Sequence, residues 1–373
     1  MALPLSQHAI APAQVLRGPG AWKQALPAIG ALVRRPLLLG RSQATAALRH
    51  QLVRDLQAAG VEPLLAELEH DCCERDLGRL QSLLPQDGAT PGDRIDSVIA
   101  AGGGKVLDAG KLLAHRLGLP CITVPTSAAT CAGWTALANL YSPAGAFERD
   151  LALDRCPELL VFDHDLVVQA PARTLASGIA DAMAKWYEAS VSSSNSLDGL
   201  VRQAVQMARL LRDELLLEGE AALAEPGGEA WVRVAEACGL TAGLIGGLGG
   251  ARCRTVAAHA VHNGLTQLAA SHGRLHGEKV GFGILVQLRL EEQVGSNRLA
   301  PQARRQLISL FRRLGLPIDL ADLGLGGASL EELNRVCSFA CREGSDLHQL
   351  PFRVDGTDLL TALVSTTAEL RLA

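Results

Sequence analysis

The chain has 373 residues, of which 48% are hydrophobic and 20% charged, and its formal net charge is −4. That length exceeds what one hydrophobic core usually fills, so two domains are expected, and the composition suits a packed fold needing no disulfides while excluding extended disorder. Lys and Arg are dispersed along the chain, which excludes the electrostatic footprint of a nucleic-acid or anionic-membrane binder and leaves a small molecule as the expected partner.

Residues 1–12 lack a basic leader and a continuous apolar core, so no signal peptide is expected. The most apolar stretch, residues 237–251, is interrupted by six glycines and is too short to span a bilayer. Nine cysteines are an odd number, and neither Cys72-Cys73 nor Cys337 with Cys341 has the spacing of a structural zinc site. They read as reduced packing thiols of a cytoplasmic protein.

In chain order, Pro36-Leu37-Leu38-Leu39-Gly40 reads as a strand and residues 43–59 as a helix. Further strands are expected over 63–69, over 95–100 running straight into Gly102-Gly103-Gly104, and over 121–124 after another helix. Leu159-Leu160-Val161-Phe162-Asp163 looks like the last strand of this half. Strands alternating with helices imply a parallel sheet with crossover connections.

From Pro171 the pattern changes to long helical periods, so a boundary is placed near residue 166, dividing the chain into 1–166 and 167–373. Helices are expected over 172–192, 196–216, 228–246, 254–271, 278–294, 300–314, 329–342 and 357–371, with 215–228 an exposed helix end and loop. The fold class is therefore an α/β N-terminal domain with a Rossmann-like parallel sheet, followed by an all-helical C-terminal domain.

The turn Gly102-Gly103-Gly104-Lys105 follows an apolar strand and opens a helix that carries Asp108 and Lys111. Side-chain-free amides at a helix N-terminus form a cradle for an anion such as a pyrophosphate, since the backbone approaches closely and the helix dipole favours negative charge. A flexible turn is the structural alternative, and Lys105 and Lys111 also fit as exposed helix charges. Pro125-Thr126-Ser127-Ala128-Ala129-Thr130 follows the next strand with small hydroxyl side chains, which suit a coenzyme-lining loop and equally an ordinary strand-ending loop.

In the second half, Asp181 stands among small apolar residues in Gly178-Ile179-Ala180-Asp181-Ala182. A buried carboxylate needs a partner or a cation. By itself the segment favours a salt bridge to Lys185 at i+4, or simple exposure. Ten histidines are scattered along the chain, but His259, His262, His272 and His276 fall within eighteen residues. Such clustering favours a metal site, because neutral imidazole is the commonest ligand for zinc and related ions.

Together these segments resemble one family. Gly-Gly-Gly-Lys-x-x-Asp-x-x-Lys after a strand, Gly178-Ile179-Ala180-Asp181-Ala182, Ala258-His259-Ala260-Val261-His262-Asn263-Gly264 and His276-Gly277-Glu278-Lys279-Val280 are similar to motifs of glycerol dehydrogenases within the iron-containing alcohol dehydrogenase and dehydroquinate synthase-like superfamily. His348-Gln349-Leu350-Pro351-Phe352 resembles a family segment near the C-terminus.

The resemblance implies an NAD(P)-linked alcohol or polyol dehydrogenase with Asp181, His259 and His276 as ligands of a divalent metal, zinc or iron. Its coenzyme would lie against Gly102, Gly103, Gly104 and Lys105, with Asp108 and Lys111 fixing the helix and ribose side and Thr126, Ser127 and Thr130 contributing from the next loop. His262 and His272 are implied near the catalytic centre as outer or proton-relay groups, and a structural role fits each of them equally. The reaction is expected in a cleft joining a coenzyme domain to a metal domain, in a homo-oligomer with no nucleic-acid or membrane partner.

Two departures bear on specificity. Relatives that oxidise glycerol carry an Asp in the loop after the fourth strand, where this chain has Thr130-Cys131-Ala132-Gly133-Trp134, so another small alcohol fits as well. Many NAD-preferring relatives carry an acid after the first strand, where this chain has Leu39-Gly40-Arg41-Ser42, so Gly40 and Arg41 are placed at the adenosine ribose with a slight lean to NADP and both coenzymes allowed, while Arg41 equally fits a solvated turn residue. Alternative readings are a lyase like dehydroquinate synthase with Arg149, Arg252, Arg254 and Lys279 around a phosphate, a glycerol phosphate dehydrogenase-like enzyme, and a non-catalytic coenzyme-binding protein.

Overall fold

The structure is a computed structural model that describes residues 7–84 and 94–368. The chain divides into two compact units, Ala9–Pro171 and a second comprising Ala172–Ala373 with Met1–His8.

The first unit is α/β. Its elements are β1 (Gln14–Gly18), α1 (Ala21–Leu32), β2 (Pro36–Gly40), α2 (Ala46–Ala58), β3 (Leu64–Glu67), α3 (Glu74–Ser82), β4 (Ser97–Gly102), α4 (Gly104–Leu117) and β5 (Cys121–Pro125), then β6 (Leu137–Tyr141), β7 (Phe147–Ala152), β8 (Leu159–Asp163) and the short α5 (His164–Val167). Six strands form one sheet in the order β1-β8-β5-β4-β2-β3, and every pairing in it is parallel. β2, β4, β5 and β8 are buried along their whole length, because helices cover both faces. That is why their sequences are continuous apolar runs rather than alternating ones.

Pleating assigns neighbouring side chains to opposite layers. Leu37, Leu39, Val98 and Ala100 pack with α3 and α4, whereas Leu38, Ile99 and Ala101 pack with α1 and α2. Each such fully buried aliphatic side chain stabilises the unit by about 1.5–3 kcal/mol relative to exposure. From β2 the chain runs outward to β3 and then returns to β4 on the other side of β2. The carboxyl ends of β2 and β4, at Gly40 and Gly102, therefore flank the point where the winding direction reverses.

Three strands escape the sequence reading. β1 has the mixed pattern Gln-Val-Leu-Arg-Gly at a sheet edge. β6 and β7 pair antiparallel in a separate ribbon, and β7, Phe-Glu-Arg-Asp-Leu-Ala, is mostly exposed, so no apolar period marks it. The ribbon is tied to α4 by Lys111, which is 3% exposed and donates to the carbonyl oxygens of Thr135 at 3.0 Å and of Leu137. Lys111 also pairs with Asp108 at 3.1 Å, and Asp108 Oδ2 accepts from Asn139 N at 3.2 Å. The reading of Lys111 as an exposed helix charge is thereby corrected.

The second unit contains helices and no strand among the described residues: α6 (Ala172–Ser193), α7 (Gly199–Ala224), α8 (Glu229–Glu236), α9 (Ala242–Gly249), α10 (Ala257–Leu265), α11 (His276–Gln293), α12 (Ala300–Arg313), α13 (Leu330–Ala340) and α14 (Gly356–Val364). The stretch 215–228, expected to be a helix end and loop, instead stays helical to Ala224, because Leu215, Gly219 and Ala222 are buried on one face of α7. The helix expected over 254–271 is broken: α10 stops at Leu265, and Ser271 Oγ donates to the Leu265 carbonyl oxygen at 2.6 Å, tying down a short 3-10 turn. The helix expected to reach residue 371 ends at Val364, and residues 369–373 lie outside the described residues.

α11 is packed by α6 and α10. The contacts are main chain to main chain: a Cβ on Gly277 would stand 1.8 Å from the Ser177 carbonyl oxygen, and one on Gly283 would stand 2.3 Å from that of Ala258. All nine cysteines are free thiols.

Candidate metal centre and coenzyme crevice

Asp181 lies in the middle of α6, His259 near the start of α10, and His276 is the first residue of α11. The three helices bring their side chains together. His259 Nε2 stands 3.4 Å and His276 Nε2 3.3 Å from the same oxygen, Asp181 Oδ1. Neither contact has hydrogen-bond geometry, and Oδ1 is buried without a hydrogen-bond partner. Asp181 itself is 3% exposed.

A buried carboxylate oxygen left unsatisfied costs roughly 1–3 kcal/mol or more unless something cationic answers it. An ion bound tetrahedrally at about 2.0–2.1 Å holds its ligand atoms roughly 3.3–3.4 Å apart, which is the separation of each imidazole nitrogen from Asp181 Oδ1. The donor set, one carboxylate and two imidazoles, fits zinc and iron and leaves a coordination position open.

Electrostatics agree with that geometry. Burial opposes the charged form of Asp181, yet the two histidines and Lys185 hold its carboxyl well below the usual carboxylate range. Lys185 acts at a distance, since its Nζ donates to the Arg254 carbonyl oxygen at 3.3 Å rather than pairing with Asp181. The i+4 salt bridge weighed from sequence is thus replaced by the histidine cluster. Burial likewise pushes His276 and His262 down toward neutral imidazole.

Behind His259 stands a residue that sequence reasoning missed. Glu188, fully buried, places Oε2 2.6 Å from His259 Nδ1, while its Oε1 accepts from the backbone amides of Val256 at 2.7 Å and His259 at 3.0 Å. An acceptor on Nδ1 requires the proton there, so Nε2, which faces Asp181, is the nitrogen that a bound cation would take in place of a proton. Burial works against a charged His259 ring, but the Glu188 charge and the two carboxylates facing its ring nitrogens, Glu188 and Asp181, outweigh it, pushing the ring up to about 9. The available signal was spacing: Glu188 lies seven residues after Asp181 and so shares its helix face.

His276 is positioned by the start of α11. Gly277 N donates to Ser177 Oγ at 3.1 Å, and Glu278 Oε2 accepts from Leu275 N at 2.7 Å. Arg173 grips that same Glu278 with Nε at 2.5 Å and Nη2 at 2.7 Å. His262 is not part of the convergent trio; its ring centroid lies 4.2 Å from that of His276, and its Nδ1 donates to Asn263 Oδ1 at 2.9 Å. His272 has a structural bond, from Nε2 to the Thr266 carbonyl oxygen at 2.8 Å.

In the α/β unit, Gly102 closes β4 and Gly103 precedes the first residue of α4 with no side chain capping it. The three glycines differ in use. A Cβ on Gly103 would meet only Ser127 Oγ, at 3.9 Å, so this position opens onto free space; a Cβ on Gly104 would stand 2.8 Å from the Thr130 methyl, and one on Gly102 would press on Val106. Thr126 N donates to the Gly102 carbonyl oxygen at 3.1 Å, which binds the two loops together. Thr130 thus packs under the glycine turn, and Gly40 lies beneath the Arg49 side chain, whose Cδ a Cβ there would strike.

Arg41 and Lys105 both turn to Asp71, Arg41 Nη1 at 2.5 Å from Oδ1 and Lys105 Nζ in contact with Oδ2. Cys131 is buried, and Trp134 Nε1 donates to the Ile10 carbonyl oxygen at 3.0 Å. Arg149, one of the cations considered for a phosphate pocket, pairs with Glu74 at 3.4 Å.

A second group with ligand-like spacing, His70, Cys73 and Asp76, occurs at the start of α3. Its carboxylate is already consumed: Asp76 Oδ2 accepts from Glu69 N at 2.7 Å and His70 N at 2.8 Å, and Oδ1 faces His70 Nδ1 and Arg79 Nε. That group is a loop clamp.

The family model described as iron-containing alcohol dehydrogenase matches residues 12–164. The chain is 52% identical over 367 residues to an uncharacterized oxidoreductase of Synechocystis sp., covering 98% of this chain and 93% of that protein. It is 36% identical over 320 residues to a glycerol dehydrogenase of Pseudomonas putida, covering 83% of each. The crystal structure of a probable glycerol dehydrogenase from Sinorhizobium meliloti 1021 superposes with a TM-score of 0.84 at 28% identity, covering 97% of this chain and 98% of that one. With relatives matched over most of both chains, the chain belongs to the iron-containing alcohol dehydrogenase family, as a glycerol dehydrogenase-like oxidoreductase that acts on alcohol groups.

Proposed function

We propose that this protein interconverts a small alcohol or polyol and its carbonyl product with NAD or NADP, that Asp181, His259 and His276 hold one divalent ion, zinc or iron, and that the α/β unit binds the coenzyme. The observation that carries the metal assignment is the convergence of two imidazole nitrogens, at 3.4 and 3.3 Å, on a buried carboxylate oxygen with no other partner.

When bound, such an ion supplies Lewis acidity to an alcohol oxygen, favouring its deprotonated form. The chain's own groups prepare the site. Glu188 fixes the His259 tautomer, and Ser177 with the Arg173–Glu278 pair fixes the first turn of α11 and so the direction of His276. In the other unit, the uncapped amides at the start of α4 and the open Cα face of Gly103 suit a pyrophosphate, with Ser127 beside them. Asp108 and Lys111 serve this surface indirectly, by locking the β6–β7 ribbon to α4.

Regarding the substrate, Thr130-Cys131-Ala132-Gly133-Trp134 offers no carboxylate to a pair of hydroxyls. This supports a small alcohol or hydroxycarbonyl substrate other than glycerol. Exposed Leu210 and Leu217, one heptad apart on α7, support self-association into a homo-oligomer. Among the described residues no helix is long and apolar enough to cross a membrane.

The test is metal analysis and NAD(P)H-linked turnover over a panel of polyols, simple alcohols, hydroxyketones and aldehydes, for the unaltered protein and for Asp181→Asn. Stoichiometric metal and turnover are expected in the first, with both lost in the second while the circular dichroism spectrum is kept. Full retention of metal and activity by Asp181→Asn would remove the assignment.

A further inference from the structure

The point where the sheet reverses its winding, at the carboxyl ends of β2 and β4, is where open α/β sheets bind ligands. Two cations come to this point from its two sides, Arg41 just after β2 and Lys105 in the first turn of α4. A single carboxylate between them takes both: Asp71 Oδ1 lies 2.5 Å from Arg41 Nη1, and Oδ2 contacts Lys105 Nζ. The cations are open to approach, with side-chain exposures of 38% and 44%, whereas the Asp71 side chain is 9% exposed. Burial works against ionising Asp71, yet Lys105 and Arg41 hold its carboxyl below the usual value, so the group is a fixed anion at neutral pH.

This arrangement bears on which dinucleotide is taken. A free arginine at the end of the first strand of the unit's winding would suit a 2′-phosphate, since its planar fork of donors matches a phosphate. Here the guanidinium is already engaged, and a fixed negative charge sits directly behind it. A 2′-phosphate would have to compete with that carboxylate for Arg41 and approach against its field, while a 2′-hydroxyl meets neither cost.

We propose that Asp71 is the residue that sets coenzyme choice, making the protein prefer NAD over NADP by engaging Arg41. It is a positioning residue: too enclosed to meet the ribose, it acts through the guanidinium that it holds. The inference rests on the reading of this crevice as the coenzyme site.

The experiment is titration of the metal-loaded, full-length protein with NAD and with NADP separately, by calorimetry, giving a ratio of dissociation constants. The unaltered protein is expected to bind NAD about tenfold or more tightly than NADP. Asp71→Asn, which keeps the shape and removes the charge, is expected to shift that ratio toward NADP by about tenfold, and adding Arg41→Ala to Asp71→Asn is expected to cancel the shift. Tighter binding of NADP than NAD by the unaltered protein would overturn the proposal whether or not the variants fold. A ratio that Asp71→Asn moves by less than about twofold, or a shift that survives Arg41→Ala, would overturn it as well. Failure of both dinucleotides to bind the unaltered protein would instead overturn the coenzyme reading beneath it.

Discussion

Glu188 Oε2 and His259 Nδ1 lie 2.6 Å apart in a fully enclosed pair, and the same carboxylate accepts two backbone amides at the start of α10. One side chain therefore sets the tautomer of the imidazole and the position of the helix that bears it. Replacing the outer partner of a metal-binding histidine typically lowers metal affinity 10–100-fold. Glu188→Gln keeps the volume and removes the strong acceptor. We expect zinc affinity, measured by chelator competition, to fall by about that range, with the protein still folded. Unchanged affinity would mean that Glu188 serves only the backbone of α10.

The glycines of the turn proposed to hold the coenzyme are expected to separate under substitution. Gly103→Ala places a methyl in open space, 3.9 Å from its nearest neighbour, so thermal stability is kept while dinucleotide binding weakens. Gly104→Ala drives a methyl to 2.8 Å from the Thr130 methyl, an overpacking that costs about 1–3 kcal/mol. Melting curves and coenzyme titration of the two variants, run side by side, check this crossed pattern.

Asp76 gives a pH-dependent contribution whose sign follows from its environment. Burial opposes its charge, but the amides and ring of His70, the amide of Glu69 and the charge of Arg79 prevail, so its folded pKa lies below the ordinary value. Its stabilisation is therefore present above about pH 4, the unfolded value, and is lost as pH falls through the depressed folded value. Asp76→Asn is expected to cost about 1–3 kcal/mol at neutral pH. Denaturant melts should show the gap between the two proteins narrowing in acid; a gap that widens there would contradict the assignment.

Lys111 has no exposed role to lose. Being 3% exposed and spent on Asp108 and two carbonyl oxygens of the ribbon, it leaves a buried carboxylate behind when removed. Lys111→Met is expected to destabilise the α/β unit by about 3–5 kcal/mol, the range for breaking a buried ion pair from one side. Proteolysis should then cut first in residues 137–152. Adding Asp108→Asn should recover part of the loss, since the buried charge that had faced Lys111 goes with it.

What could be read from the sequence tracks how each feature is encoded. β2, β4, β5 and β8 were legible because burial on both faces writes an uninterrupted apolar run, whereas β7 carries Glu148, Arg149 and Asp150 and writes none. Asp181, His259 and His276 were legible as unusual residues in characteristic motifs, and the structure brings their donor atoms together. Glu188 was passed over because a glutamate in a helix is commonplace, and only its complete burial marks it as special. The engagement of Arg41 was invisible for a different reason: Asp71 lies thirty positions away and reaches it through the loop after β3.

The close seating of α11 has a consequence for the ion. Because Gly277 rests on the Ser177 carbonyl and Gly283 on that of Ala258, α11 touches α6 and α10 along their peptide backbones, with no side chain between them at these two points. The spacing of these backbones is thus written in the absence of two methyl groups, and an alanine at either position would push α11 off the helix that carries Asp181 or His259.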